Sequence, residues 1–276
     1  GRFFVDASGA ESHLSSSRVR KIASEGLRKI SFFAHYEGVR PSVEGSTDIA
    51  IAVLRDGWAW LIPIDDTTTS FGVVLDVDRW NRENQDRESF MESTILGSPY
   101  LEERMADARR VSEVRARKNF SYAVDRMTGP NFALVGDAAG FIDPIFSTGV
   151  FMAMRSAEIA SEAVGRRLAD GSSADLKRYE KKMRRVLRRY LRIIDHFYRR
   201  EFIEVFLHPQ PRFGLVEVII GLLAGNAFER VASRWKLELF YLLVWMQRWT
   251  RVIAPPVPWD RLPAVGDRRI SEVNVV

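Results

Sequence analysis

Apolar and polar positions change period several times along the chain, and each change marks a different kind of element. Phe3 to Val5 is a short apolar run that stops at Asp6-Ala7-Ser8-Gly9, a strand feeding a tight turn. Residues 10–28 are polar, rich in Ser and Arg, and predict a loop with a short helix. From Lys29 to Leu75 the period is two. Ile30, Phe32 and Ala34 alternate with Ser31 and Phe33, and Ile49, Ile51 and Val53 alternate with small residues. Trp58–Ile62 and Ser70–Leu75 supply two more strands, with turn chemistry between them at Asp56-Gly57 and Asp65-Asp66-Thr67. The pattern predicts an antiparallel meander.

Between Arg79 and Ala108 the residues Trp80, Phe90, Met91, Ile95 and Leu101 fall at helical spacing, broken at Ser98-Pro99, and Val111–Tyr122 returns to strand. A second apolar run, Phe132 to Val135, ends at Gly136-Asp137. Small residues and an Asp143-Pro144 turn follow, and Ser147-Thr148-Gly149 opens a helix reaching about Leu168. Ala153, Ala157, Ala160 and Val164 are its expected packed face and Gly171 its stop. Ser173–Phe206 predicts one long helix. Its apolar stripe runs from Leu176 and Tyr179 through Met183, Val186, Leu187, Tyr190, Leu191 and Ile194 to Tyr198. Two further amphipathic helices follow, around 213–232 and 234–252, and then Pro255, Pro256 and Pro258 lead into a polar tail.

Composition narrows the function classes. A chain of 276 residues, 46% hydrophobic, buries a sizeable core in one large domain or two modest ones. The net charge of +5 lacks the basic stripe interleaved with exposed aromatics that a nucleic-acid partner needs. Without cysteine there are no disulfides, thiolate nucleophiles or Cys-ligated metals, which fits a cytoplasmic protein. His13, His35, His196 and His208 are scattered without metal-ligand spacing and read as structural, so no metal is expected. Apolar stretches at Phe213–Phe228 and Leu237–Met246 are interrupted by Glu217 and Glu238 and fall short of the roughly 20 residues a bilayer requires. Trp235, Trp245 and Trp249 read as a helix packed over a cavity, with a weak peripheral membrane contact as the alternative. The chain opens at Gly1, without Met and already in a strand, so it is expected to be the later part of a longer protein.

Residues 136–150 carry the chemistry. A strand end, a loop of small residues and a helix start let backbone approach a ligand closely, and the free N–H groups of the helix favour an anion or an electron-rich carbonyl. The loop resembles the second flavin-binding motif of the FAD-dependent monooxygenase and halogenase superfamily, and Asp6-Ala7-Ser8-Gly9 resembles the strand end that passes near the ADP half of FAD there. That resemblance implies cofactor contacts at Asp6, Ala7, Ser8, Gly136, Asp137, Pro144, Thr148, Gly149 and Val150. Trp58-Ala59-Trp60-Leu61-Ile62-Pro63 matches the Trp-x-Trp-x-Ile-Pro signature of the flavin-dependent halogenases. Two Trp residues two apart in a strand share a face, and as an apolar wall they would keep substrate from the flavin.

In that family the backbone at Thr148-Gly149 holds halide, and enzymes acting on free tryptophan carry a glutamate where this chain has Phe146. Phe146 joins Trp58 and Trp60 as an expected pocket wall, and the resemblance implies a phenolic or pyrrolic substrate, with tethering to a carrier protein one form. The implied chemistry uses FAD, reduced by a separate flavin reductase, with oxygen and chloride or bromide. No glycines are spaced Gly-x-Gly, and the family's catalytic lysine lies upstream of the Asp6 strand, so no catalytic residue is assigned in this chain and it is expected to be inactive alone. Lys118 is no substitute and reads as a strand-edge charge. The basic residues of 178–200 read as a solvated face, the sharper alternative being Arg184, Arg185, Arg188 and Arg189 docking an acidic acyl carrier protein.

The implied fold is α/β: a glutathione-reductase-like FAD-binding domain lacking its first βαβ unit, an inserted antiparallel substrate sheet and a helical C-terminal region. Its divisions are 1–28 and 119–171 for the FAD domain, 29–118 for the sheet and 172–276 for the helices. Rival readings are an FAD-dependent hydroxylase, a flavoenzyme resembling the geranylgeranyl reductases, and a membrane- or partner-binding module.

Overall fold

The computed structural model describes residues 1–266 apart from 15–16, 44, 84, 209–214, 226–227 and 229–233. The chain is α/β, with antiparallel sheets and helices, and divides into two units, one of residues 1–26 and 121–257 and the other of residues 27–120 and the segment from Pro258. The first contributes β1 (Phe4–Asp6) and β2 (Lys21–Ala23). The second follows with β3 (Lys29–Glu37), β4 (Ala50–Leu54), β5 (Gly57–Pro63), β6 (Thr68–Asp76), α1 (Val77–Trp80), α2 (Arg87–Gly97), α3 (Pro99–Met105), β7 (Arg109–Arg110) and β8 (Arg115–Lys118). The chain then returns to the first unit with β9 (Tyr122–Val124), β10 (Thr128–Gly129), β11 (Phe132–Leu134), β12 (Gly140–Phe141), α4 (Gly149–Asp170), α5 (Ala174–Phe197), α6 (Arg200–Leu207), α7 (Leu215–Leu223) and α8 (Arg234–Thr250).

The sheet unit is an antiparallel sheet of order β4-β5-β6-β3-β7, with β8 also on β3. Period two sends Ile30, Phe32, Ala34 and Tyr36 of β3 and Phe71, Val73 and Leu75 of β6 to one face, where Phe90 and Leu101 of α2 and α3 close a core. Ser98 serves both helices, ending α2 and capping α3. Trp58 and Trp60 point to the other face of β5. Their rings lie 5.6 Å apart, Trp60 Nε1 donates to Ser70 Oγ at 3.1 Å, and Gly72 directly opposite leaves room for the Trp60 indole.

The alternation at 49–53 is β4, and its register puts Ala50, Ala52 and Leu54 on the core face, so Ile51 stands with Trp60 on the other face and is exposed, as is Ile49 just before the strand. Val111–Tyr122, by contrast, is not one strand but β8 and the start of β9, parted by Asn119 in the left-handed region (φ 51°). Residues 10–28 contain β2 besides a short helix. The stretch after Pro258, read above with the C-terminal helices, is part of the sheet unit. Pro263 O accepts from Arg55 N at 3.0 Å, Val265 N donates to Asp56 Oδ1 at 2.8 Å, and Val265 is fully buried.

In the other unit α5 is the central strut. Tyr179, Met183, Val186 and Tyr190 are buried along one face. Tyr179 donates to Leu134 O at 2.6 Å, and burial pushes its hydroxyl well above the usual tyrosine value. Tyr190 donates to Leu222 O at 3.1 Å and is pushed up to about 12, again by burial. The expected single helix over Ser173–Phe206 is two. Arg199 is extended (ψ 136°), and the break lets Phe197 end α5 while Phe202 and Ile203 of α6 are buried as well. Continuous stripes do not reveal such a break when neither Gly nor Pro marks it. The helix expected over 213–232 is seen as α7, while 213–214, 226–227 and 229–232 lie outside the described residues.

Candidate functional site

Parallel pairing of β1 with β11 aligns Asp6 with Leu134, so the Asp6–Ser8 turn and the Gly136–Asp137 turn, far apart in sequence, leave the same edge of one sheet. Val135 N donates to Asp6 O at 3.0 Å and locks the register. Turns at the carboxyl ends of adjacent parallel strands are where α/β sheets bind ligands.

Gly136 has φ +58°, and a Cβ there would lie 3.1 Å from the Ala153 Cβ. Its N–H donates to Ser156 Oγ at 2.8 Å, and Ser156 donates on to Ala153 O at 2.9 Å. The packed face of α4 is therefore Ser156, Ala160 and Ala163. Ala157, expected to pack, is exposed, because the helix is rotated to bring Ser156 under the glycine turn. Tyr122 donates its hydroxyl to Asp137 O and ties the turn to β9. The open cleft that follows is lined by the Gly136–Asp137 turn, Gly140, Thr148, Gly149 and, from α5, Met183 and Leu187.

The loop from Asp143 to Gly149 sets the far side of the cleft. Asp143 is buried, accepts from Ile145 N at 3.0 Å and from Tyr198 Oη at 2.8 Å, and so pins a short turn begun by Pro144. Ser147 then takes φ 50°, a strained value for a side chain other than glycine. Thr148 is buried and begins α4 without capping it by its side chain, and its carbonyl accepts from Met152 N at 2.9 Å. The first amides of α4, at Gly149 and Val150, precede any intrahelical partner and stay available to a ligand, with the positive end of the helix dipole behind them. The Val150 side chain is 75% exposed. Phe146 packs edge-on against Phe197 of α5 at 5.6 Å within this unit.

Asp6 differs from expectation. Its carboxylate is 1% exposed and takes four donors from its own loop: Ser8 N at 3.1 Å and Ser8 Oγ at 2.6 Å on Oδ1, Ser12 Oγ at 2.9 Å and Leu14 N at 3.0 Å on Oδ2. Those bonds fill the lone pairs of a carboxylate, so Asp6 shapes the loop rather than reaching a ligand. Ala7 and Ser8 are exposed on that loop. Burial alone would raise the Asp6 pKa, but the bonds from Ser8, Leu14 and Ser12 together hold it below the usual range. Its contribution to stability is therefore complete above the unfolded value of ~3.9 and is lost as pH falls through the lower folded value. Urea unfolding followed at a series of pH values should show Asp6→Asn less stable than the native protein at neutral pH by ~1.5–3 kcal/mol, the gap closing in acid. An equal gap at every pH would mean the charge contributes nothing.

Among the basic residues, Arg184 is structural, donating to Glu180, to Val124 O at 3.1 Å and to Asp125 O at 2.7 Å. Arg185 and Arg188 are exposed. Lys118 is exposed on β8. His13 and His208 are exposed, while His196 lies 4.6 Å from the Tyr241 ring and burial lowers its pKa. Among the described residues no group of His, Asp and Glu could hold a metal, and no helix is long and apolar enough to cross a membrane. Sequence reasoning missed Ser156, Tyr122 and Tyr198. Each acts through one hydroxyl from a neighbouring element, and no local pattern announces that.

A family model described as tryptophan halogenase matches residues 1–202. The chain is 32% identical over 179 residues to the 1H-pyrrole-2-carbonyl-[peptidyl-carrier protein] chlorinase of Pseudomonas fluorescens, covering 63% of this chain and 39% of that protein. It is 31% identical over 174 residues to a flavin-dependent halogenase of Armillaria mellea, covering 59% and 33%. Among solved structures, the flavin-dependent brominase Bmp2 superimposes with a TM-score of 0.79 at 27% identity over 90% of this chain and 63% of its own. The chain spans about a third to two fifths of the length of these curated relatives.

Proposed function

The chain belongs to the tryptophan halogenase family, and from that premise we propose that it forms the flavin cradle and substrate sheet of an FAD-dependent halogenase acting on a phenolic or pyrrolic ring. The observation that carries the reading is the meeting of the Asp6–Ser8 and Gly136–Asp137 turns at one sheet edge, beside the free amides that open α4. FAD fits such a cradle, because Gly136, Gly140 and Gly149 line the cleft without side chains and leave backbone to meet the cofactor. On this reading residues 1–26 and 121–171 belong to a glutathione-reductase-like FAD domain into which the sheet unit is inserted.

The roles follow from the residues. Ala7 and Ser8 would lie along the ADP half of the cofactor, on a loop that Asp6 holds rigid. Gly136 would admit the sugar–phosphate chain to the backbone, and Asp137 would accept from its hydroxyls. The Thr148, Gly149 and Val150 backbone would donate to the flavin edge and to a halide, which needs donors but no directional geometry. Pro144 fixes the turn that aims these amides, with Asp143 and Tyr198 behind it. When bound and reduced, the flavin supplies with oxygen the oxidising power that makes halide electrophilic. Trp58, 2% exposed, is buried in the sheet unit instead of lining a pocket as expected, and Phe146 leaves no carboxylate where enzymes of free tryptophan carry one.

Pyrrole-type relatives act on carrier-bound rings, which supports a carrier-tethered substrate here, and the reduced cofactor would come from a flavin reductase. The test supplies the complete gene product with flavin reductase, chloride or bromide and a pyrrolic or phenolic carrier thioester. A product with the halogen isotope pattern is expected. An oxygenated product formed equally well without halide would make the protein a hydroxylase instead.

A further inference from the structure

Helix α8 is apolar on two sides. Leu237, Phe240, Tyr241 and Val244 are buried against the rest of its unit. At about 100° per residue, Trp235, Leu242, Trp245 and Trp249 share roughly a quarter of the circumference on another side. They are 59%, 48%, 58% and 68% exposed. Three large indoles left in water along one helix represent an apolar area that a folded protein rarely leaves uncovered.

Around this ridge the cations Lys236, Arg248, Arg251 and Arg192 outnumber the acids Glu238 and Glu201. The Lys236 amine sits 5.7 Å from the Trp235 ring centre and the Arg248 guanidinium 5.5 Å from that of Trp249. Arg251, just past the helix, is exposed. The acid on the exposed arc, Glu238, is held by Arg192 at 2.7 and 2.8 Å, and Arg248, still largely exposed, lies 3.7 Å from Glu201, so Lys236 and Arg251 carry the net positive charge. Indoles with flanking cations, lying along a helix too short and too charged to cross a bilayer, are suited to the interface of an anionic membrane. There the rings sit at headgroup level and the cations meet lipid phosphates. A ridge of projecting rings also suits a deformable lipid layer better than a protein pocket, which would have to supply several matching cavities.

The geometry points to α8 as an interfacial helix through which this protein docks on an anionic phospholipid surface. Neither the family nor the cofactor cradle requires this.

The test is flotation of the chain with phosphatidylcholine vesicles, with and without phosphatidylglycerol, read together with tryptophan fluorescence. The native chain is expected to float with anionic vesicles, with a blue-shifted emission. Trp245→Glu/Trp249→Glu is expected to partition at least about tenfold more weakly with an unchanged melting temperature, because both rings are already largely in water. Lys236→Glu/Arg248→Glu should lose the preference for anionic lipid. No flotation of the native chain, or flotation unaffected by the Trp changes, overturns the proposal. Equal binding to neutral vesicles overturns its electrostatic part. A concentration-dependent dimer abolished by the Trp changes, without flotation, would show that a second copy covers the ridge.

Discussion

Gly136→Val should yield a protein that retains no flavin under conditions where the native chain does. Two effects act together. Gly136 holds φ +58°, where any L-residue pays roughly 1–2 kcal/mol and a β-branched one more. Its first side-chain atom would also stand 3.1 Å from the Ala153 Cβ, with the branch methyls forced toward α4 or into the cleft. If the cleft receives the flavin's sugar–phosphate chain, the methyls occupy its place, and affinity should fall about a hundredfold or more. Gly136→Ala should lie between. Adding Ala153→Gly to it should recover part of the loss, because the two sites touch and their effects are coupled. Flavin absorbance per protein after desalting reads the result, with circular dichroism to confirm folding. Native flavin content in a folded Gly136→Val protein would remove this turn from the cofactor site.

That glycine was legible in sequence because its neighbours are unusual: an apolar strand stopping on Gly-Asp, then small residues and a Pro turn. The shared face of Trp58 and Trp60 was legible for a similar reason, period two allowing no other outcome. Local pattern failed where its contrast vanished. On α4 the choice between Ala153-Ala157-Ala160-Val164 and a face through Ser156 could not be made among residues all of similar size, and a hydroxyl bonded to Gly136 decided it. At Tyr198–Arg199 the helix breaks so that Phe197, Phe202 and Ile203 can all be buried, a demand set by tertiary packing and by no residue at the break. The strands β2, β9 and β12, of two or three residues each, pair with one another across long stretches of sequence and carry too few positions to show a period. Asp6 is the functional version of the same limit. Its place at a strand end was readable, whereas the four donors that occupy it come from a loop whose path only the fold reveals.

Gln247→Leu is expected to destabilise the helical unit by ~3–5 kcal/mol, a large fraction of what a domain possesses. Gln247 is fully buried, and every atom of its amide is engaged. Nε2 donates to Glu204 Oε2 at 2.8 Å and to Ala254 O at 2.9 Å, while Oε1 accepts from Ile253 N and Ala254 N, both at 3.0 Å. Glu204, itself 2% exposed, accepts from Arg200 Nε at 2.8 Å and from Val257 N at 3.2 Å. One amide thus joins α6, the end of α8 and the chain leaving it. Leucine keeps the volume and removes all four bonds, leaving a buried carboxylate oxygen and three backbone groups without those partners. Glu204→Gln separates charge from hydrogen bonding. Its Oε1 can still accept from Arg200 and Val257, but its amide then faces the amide of Gln247, so one of the two must turn and lose partners. An intermediate loss is therefore expected, with the Arg200 charge also left uncompensated. Urea unfolding followed by circular dichroism gives both values. A Gln247→Leu unfolding free energy within ~0.5 kcal/mol of the native protein would show that water reaches these groups and that the junction is not a closed network.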